Sequence, residues 1–275
     1  MALALRFAEE AEFSSRACAT SSFNAPDVAP SKAFFRWSRP VREQLGSHAH
    51  SPISIQTLIV ALPGAAPFIQ QLTSTWTQVG TLVTNDQAIP PCKLQADLSS
   101  STVIKSKMGN NVAEKRNTLV VLLPQDIPVV ATWVWLNKLR EHVDAEDVVC
   151  LDSQLSTIYA DQFADETGPK LRMLSSSTVT DEMKMETPVR PLEVPQFVAG
   201  VPAALLTHGE LRKRRVRVFV SLRDVATTPV DVMRSFLPLV ASPSSVLGAL
   251  ERPMFFQPTR DSSNDGQGSL NVLYT

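Results

Sequence analysis

Apolar positions change their period several times along this chain, and each change marks an element. Ile53 to Leu62 alternates at first and then becomes continuously aliphatic, the pattern of a strand entering a sheet covered on both faces. Pro63-Gly64 breaks it, and Ala65 to Trp76 then sets Phe68, Ile69, Leu72 and Trp76 on one helical stripe. Thr81 to Val83, Ser101 to Ile104 and Thr118 to Leu123 read as further strands, with Pro124 stopping the last. Pro128 suits a helix first turn, and Val130, Val134, Leu136 and Leu139 carry an amphipathic helix to about His142. Asp147 to Leu151 reads as a short buried strand. This alternation predicts an α/β fold, a three-layer sandwich around a mixed central sheet.

The flanks are less regular. Residues 1–52 are rich in Ala, Ser and Pro without a sustained period, so an irregular N-terminal arm is expected, its Phe34, Phe35 and Trp37 docking on the body. Residues 53–256 form the α/β domain, interrupted at about 162–193 by a stretch of acids, glycine, proline and serine that reads as a mobile loop. Order returns at Phe197: Pro202 to Leu211 reads as a helix, Val216 to Leu222 as a strand, and Pro229 to Leu239 and Pro243 to Leu250 as two short helices. Residues 257–275 are polar and predict a flexible tail.

Composition narrows the function. The 275 residues carry 26 basic and 27 acidic side chains, a net charge of −1, which excludes a general electrostatic grip on nucleic acid or anionic lipid. Hydrophobic residues at 44% and charged ones at 19% fit a folded domain with an ample core. Cys18, Cys92 and Cys150 have no CxxC spacing, so free thiols in a reducing compartment are expected. Met1 to Ala8 is apolar but holds Arg6, and Glu9, Glu10 and Glu12 follow, so no secretory or transit segment is expected. Arg212-Lys213-Arg214-Arg215 reads first as a solvated strand edge and second as a nuclear signal or phosphate patch. The expected location is cytoplasmic, with the nucleus open through that run.

Catalytic patterns are missing. His48 and His50 lie in the arm without a Cys or carboxylate in register for a metal. His142 reads as a cap at a helix C-terminus, and His208 lies within a helix. No Gly-x-Ser-x-Gly elbow occurs, and the turn at Leu62-Pro63-Gly64 lacks the glycines and Lys-Ser/Thr pair of a phosphate loop. Asp161, Asp165 and Glu166 fall in the loop, where they read as solvating charges. No catalytic residue, metal or cofactor is expected. An enzyme would need polar groups clustered where the parallel strands end, and the sequence offers Pro63, Pro124 and aliphatics there. Trp133 and Trp135, two apart on one helix, predict one ring packed inward and one facing a partner.

The polar tail closes on an apolar key, Val272-Leu273-Tyr274-Thr275. An aliphatic group, a phenol and a carboxylate together suit a pocket with a cationic rim. This hydrophobic–Tyr–any-residue ending resembles the motif with which proteasome activators and assembly factors plug between α subunits of the 20S ring. Gly200-Val201-Pro202-Ala203-Ala204-Leu205-Leu206, the strand after it and Phe236-Leu237-Pro238-Leu239 extend the likeness. Residues 195–275 thus resemble the proteasome assembly chaperone 1 family, and 53–160 do so loosely; Arg212 to Arg215 and the long polar tail depart from it. The resemblance implies a non-catalytic chaperone of 20S proteasome assembly, working as a heterodimer with proteasome assembly chaperone 2. It implies α-ring formation promoted by binding the proteasome α subunits, with Leu273, Tyr274 and Thr275 in an α-ring pocket. The alternatives are a regulator of the mature 20S particle with the same tail, and a nucleoside-phosphorylase-like or hydrolase-like α/β enzyme.

Overall fold

A computed structural model describes residues 32–46, 51–84, 90–97, 117–155, 169–181, 189–193, 196–241, 246–248 and 250. The most continuously aliphatic strand sits in the middle. β2 (Ile53–Ala61) lies between β5 (Thr118–Leu122) and β6 (Val143–Leu155), parallel to both, and β9 (Arg215–Arg223) extends the parallel set beyond β6. Outward from β5 run β4 (Cys92–Ala96), β3 (Thr77–Thr84) and β1 (Ala33–Trp37), each antiparallel to its neighbour. On the other side β7 (Lys170–Ser175) pairs antiparallel with β9, and β8 (Arg190–Pro191) closes the nine-stranded mixed sheet.

Register carries the core through the sheet. Ile59 stands opposite both Val120 and Val149, and all three pack on one face; Val60 stands opposite Val121 and Cys150, and these pack on the other. The first face meets α2 (Ala66–Leu72) through Phe68, Ile69 and Leu72, and α5 (Pro229–Ser235) through Val232 and Met233. The second meets α1 (Arg39–Leu45), α3 (Val129–His142) and α4 (Gly200–Arg212). The three-layer sandwich expected from the pattern is the fold observed.

Several expectations move. Within the expected arm, Ala33–Trp37 is a strand: Phe35 and Trp37 pack into the core as β1, because pairing with β3 gives a short segment the ladder it lacks alone. The loop at 162–193 contains β7, whose Leu171 and Met173 face the core while β9 supplies its hydrogen bonds. The second helix ends at Leu72, short of Trp76, and β3 runs from Thr77 to Thr84. The helix expected to reach Leu239 stops at Ser235 and continues as a 3₁₀ turn, Leu237–Val240. Pro238 explains this, since in an α-helix its ring would strike the carbonyl of Arg234. Ser101 to Ile104 and the tail 257–275 lie outside the described residues, as does half of Pro243 to Leu250.

α4 lies so close on β9 that Gly209 touches the sheet. A Cβ there would collide with Val216 Cγ2 and come within 3.3 Å of the Arg214 carbonyl oxygen. Gly209→Ala gains about 1 kcal/mol of helix propensity and incurs about 1–3 kcal/mol of overpacking, so a net loss of about 1 kcal/mol is expected. Adding Val216→Ala should recover more stability than the two separate changes predict, measured by urea unfolding; full additivity would refute the contact.

Candidate interaction interface

Helices cover both faces of the sheet, so function must use its ends. The two ends differ in chemistry. Eight large apolar side chains stand exposed among the described residues, and seven lie at the end where the parallel strands finish. Val129, Val130 and Trp133 occupy the first turns of α3, just past β5, and Phe197 precedes α4. Leu155 closes β6 and Val225 follows β9, while Phe34, opposite Val83, marks the same end at the β1 edge. The strands are spaced by ~4.8 Å, so this set spans about 29 Å from β1 to β9. Its dense part is the α3 stripe with Phe197.

The helix itself explains that stripe. Ala131, Trp135, Leu136 and Leu139 are buried against the sheet. Trp135 is 0% exposed, while Trp133 is 43% exposed and Val130 76%. The inward-outward split expected of the two tryptophans is present. Burial raises the Cys92 thiol to about 11 and also raises the fully buried Cys150, so both are inert packing groups.

At the middle of this end the strand order switches sides, from β5 to β6 around β2, which is where an α/β fold opens a ligand crevice. Polar residues do stand there, contrary to the reading of the strand ends as proline and aliphatics: Asp126, Asp152, Ser153 and Gln154. They escape the sequence pattern because β6 runs four residues past Leu151. The Asp152 carboxylate is held locally, while the buried Ser153 Oγ has no hydrogen-bond partner among the described residues. Ser153 N–H donates to Asp152 Oδ1 at 2.7 Å and Gln154 Nε2 to Oδ2 at 2.9 Å, so the carboxylate is occupied by its own strand. Burial raises the pKa of Asp152, and Gln154 and the Ser153 amide oppose it. The turn after β2 lies directly on the tip of β6: a Cβ on Gly64 would stand 2.5 Å from that of Ser153.

The remaining candidates sit apart. His142 stacks on Phe35 with ring centroids 4.3 Å apart, holding β1 to the end of α3. His208 lies at the opposite end of the sheet, where Arg140 donates to its Nδ1 at 3.2 Å. His48, His50, Asp161, Asp165, Glu166, Leu273, Tyr274 and Thr275 lie outside the described residues. Of the basic run, Arg214 pairs with Asp144 at 2.9 Å and Arg215 with Asp147 at 2.8 Å, so half of it is structural. Among the described residues no group of three His, Cys, Asp or Glu could hold a metal, and no helix is long and apolar enough to cross a membrane.

No family model matches this chain, and no curated protein does. Solved structures do. Pyrococcus furiosus PbaB, described as an archaeal proteasome activator, superposes with a TM-score of 0.53 at 11% identity, over 80% of this chain and 89% of its own. This chain has the PbaB fold. A Thermoplasma acidophilum protein with unknown function matches at a TM-score of 0.51 and 11% identity, over 74% of this chain and 83% of its own. Pyrococcus furiosus PbaA, described as an archaeal homolog of proteasome-assembly chaperone, reaches 0.46 at 13% identity, over 79% and 89%. Identities this low speak for the fold alone.

Two outcomes follow. The protein purified alone should self-associate, and Val130→Ser with Trp133→Ser should reduce this in sedimentation velocity while changing stability by under about 0.5 kcal/mol per site. Burial first, then Arg140, Arg212 and Arg214, lowers the His208 pKa from 6.5 to about 4. The folded protein therefore resists protonating this ring. Its contribution to stability is complete above pH 6.5 and is lost as pH falls toward 4. His208→Asn keeps an acceptor for Arg140 without titrating, so its stability should fall less steeply from pH 6.5 to 5 in urea-unfolding series.

Proposed function

We propose that this protein is a non-catalytic chaperone of 20S proteasome assembly. The observation that carries the reading is the apolar end of the sheet, with Val129, Val130, Trp133 and Phe197 exposed. A surface of that kind serves contact with another protein better than turnover of a small substrate. The fold shared with PbaB and the resemblance of residues 195–275 to the proteasome assembly chaperone 1 family support it. In this reading the chain pairs with proteasome assembly chaperone 2 in the cytoplasm, and also in the nucleus. The pair binds the α subunits and promotes α-ring formation, with Leu273-Tyr274-Thr275 seated between α subunits.

The tail acts by tethering. About fifteen residues, 257–271, let its end range some 20–23 Å from the body, taking ~5–6 Å times the square root of length. The pocket search becomes intramolecular, at an effective concentration of about a millimolar, so a weak tripeptide contact adds to avidity. A second reading, a regulator of the mature particle, rests on the description of PbaB as an activator.

Copurification separates the two. An α-ring intermediate without mature β subunits supports the chaperone, and a mature particle supports the regulator. Deleting residues 273–275 should weaken α-ring binding about tenfold or more without altering thermal unfolding, and Tyr274→Ala should reproduce most of that loss. Unchanged affinity and off-rate after the deletion would show that the tail is not a key.

A further inference from the structure

The basic run Arg212 to Arg215 is not used by the chaperone reading, and the structure gives it a setting. Arg215 is neutralised by Asp147 at 2.8 Å and Glu146 at 3.8 Å. Arg214 Nη2 donates to both oxygens of Asp144, at 2.9 and 3.0 Å. Arg140 comes from α3 to the same place, 3.9 Å from Asp144, and donates to His208 on α4. Arg212 and Lys213 stand exposed at the end of α4. The nearby Glu210 is engaged through both carboxylate oxygens by Ser177, each at 2.6 Å. Four cations, Arg140, Arg212, Lys213 and Arg214, thus gather around two carboxylates, Asp144 and Glu210; with Arg215, Asp147 and Glu146 beside them the local excess is one positive charge.

Helix ends do not account for this. The last carbonyls of α4 accept from the backbone N–H groups of Lys213 and Arg214, and the heads of Arg140 and Arg214 turn to His208 and Asp144. On an open edge the cations would spread apart. Here they are close enough that Arg212 and Arg214 add to burial in lowering the Arg140 pKa, with Asp144 opposing them. Between α3 and α4 opens a cavity of about 30 Å³, floored by Leu58, Leu136, Val148 and Leu205 and rimmed by Arg140, His208 and Arg214. Because Arg140 can only donate, His208 Nδ1 accepts, and the neutral ring carries its proton on Nε2.

We propose that this cleft binds a phosphate-class dianion, held by the guanidiniums of Arg140, Arg212 and Arg214 and by the Nε2–H of His208. A phosphate carries three acceptor oxygens, which suit the donors of Arg140, Arg212, Arg214 and His208. A cavity of about 30 Å³ holds one water, so the anion sits at the rim and anything attached to it stays outside. The ligand is therefore free phosphate or a phosphorylated side chain. The site lies at the opposite end of the sheet from the interaction surface, and it stands or falls independently of the chaperone reading.

The test is calorimetric titration of the full chain with inorganic phosphate at constant ionic strength, chloride being the balancing anion. Saturable binding is expected, weakened at least tenfold in Arg140→Gln and in Arg212→Gln. Arg212 is exposed, so the second variant keeps the fold whatever the first does. Phosphate should also raise the His208 pKa above its starting value of about 4 in ring-proton NMR, against the opposing charges of Arg140, Arg212 and Arg214 and alongside that of Asp144. O-Phosphoserine as a second probe separates the sources. An affinity at least tenfold above that of phosphate assigns the site to a modified side chain, and equal affinity assigns it to the free ion. A response that follows ionic strength without saturating, or binding retained in both variants, overturns the proposal.

Discussion

Four adjacent parallel strands, β5, β2, β6 and β9, have no polar face to turn toward water. Ile59, Ala61, Val120, Val149, Leu151 and Phe219 fill one side, and Leu58, Val60, Val121, Cys150, Val218 and Val220 the other. Each fully buried Val, Leu, Ile or Phe contributes about 1.5–3 kcal/mol, so an uncovered face would cost tens of kcal/mol. Everything else in the fold meets that requirement. Crossovers must place helices on both sides, and the antiparallel strands β1, β3, β4 and β7 extend the sheet without needing a helix each.

That constraint also fixes where the helices begin and end. α3 links β5 to β6, and α4 turns tightly into β9, so both run against the parallel strands on the same face. Their first turns therefore meet at the carboxyl end and their last turns at the amino end. Val129, Val130 and Trp133 start α3, and Arg140 finishes it; Phe197 precedes α4, and His208 and Arg212 finish it. An apolar end and a cationic end result from one arrangement. At the strand switch the turn at Gly64 rests on Ser153, and the exposed apolar side chains stand further out, on the helix starts.

Period made the buried elements readable. The aliphatic run of β2, the stripe of α2 and the Trp133–Trp135 split all follow from patterns that local physics imposes. What escaped was held by partners. β1 and β7 are short and flanked by polar or proline-rich residues, and their order comes from the ladders of β3 and β9, which no window on their own residues contains. β4 went unread for the same reason. The candidate interface was half legible: Trp133 follows from spacing, but placing Leu155, Phe197 and Val225 at one end requires the strand order. The charged site was visible only as a run of four cations. His208 lies one turn before Arg212 on α4, but Arg140, about seventy residues away on α3, joins them only through the packing of α3 on α4, for which sequence offers no signal.

The two ends are linked by the helices that create them. Interiors packed like crystals transmit displacement rather than absorbing it, and α3 rests on the sheet through Trp135, Leu136 and Leu139 along most of its length. A partner seated on Val130 and Trp133 pushes on a body whose far end holds Arg140 against His208. At sites more than about 7–10 Å apart with no shared partner, effects are additive. Here α3 is the shared partner. Coupling between the ends then depends on whether α3 can slide against α4, and the 3.2 Å contact from Arg140 to His208, together with the close seating of Gly209 on Val216, resists that slide. The fold thus makes a stiff body in which the two surfaces share α3, so neither is insulated from the other.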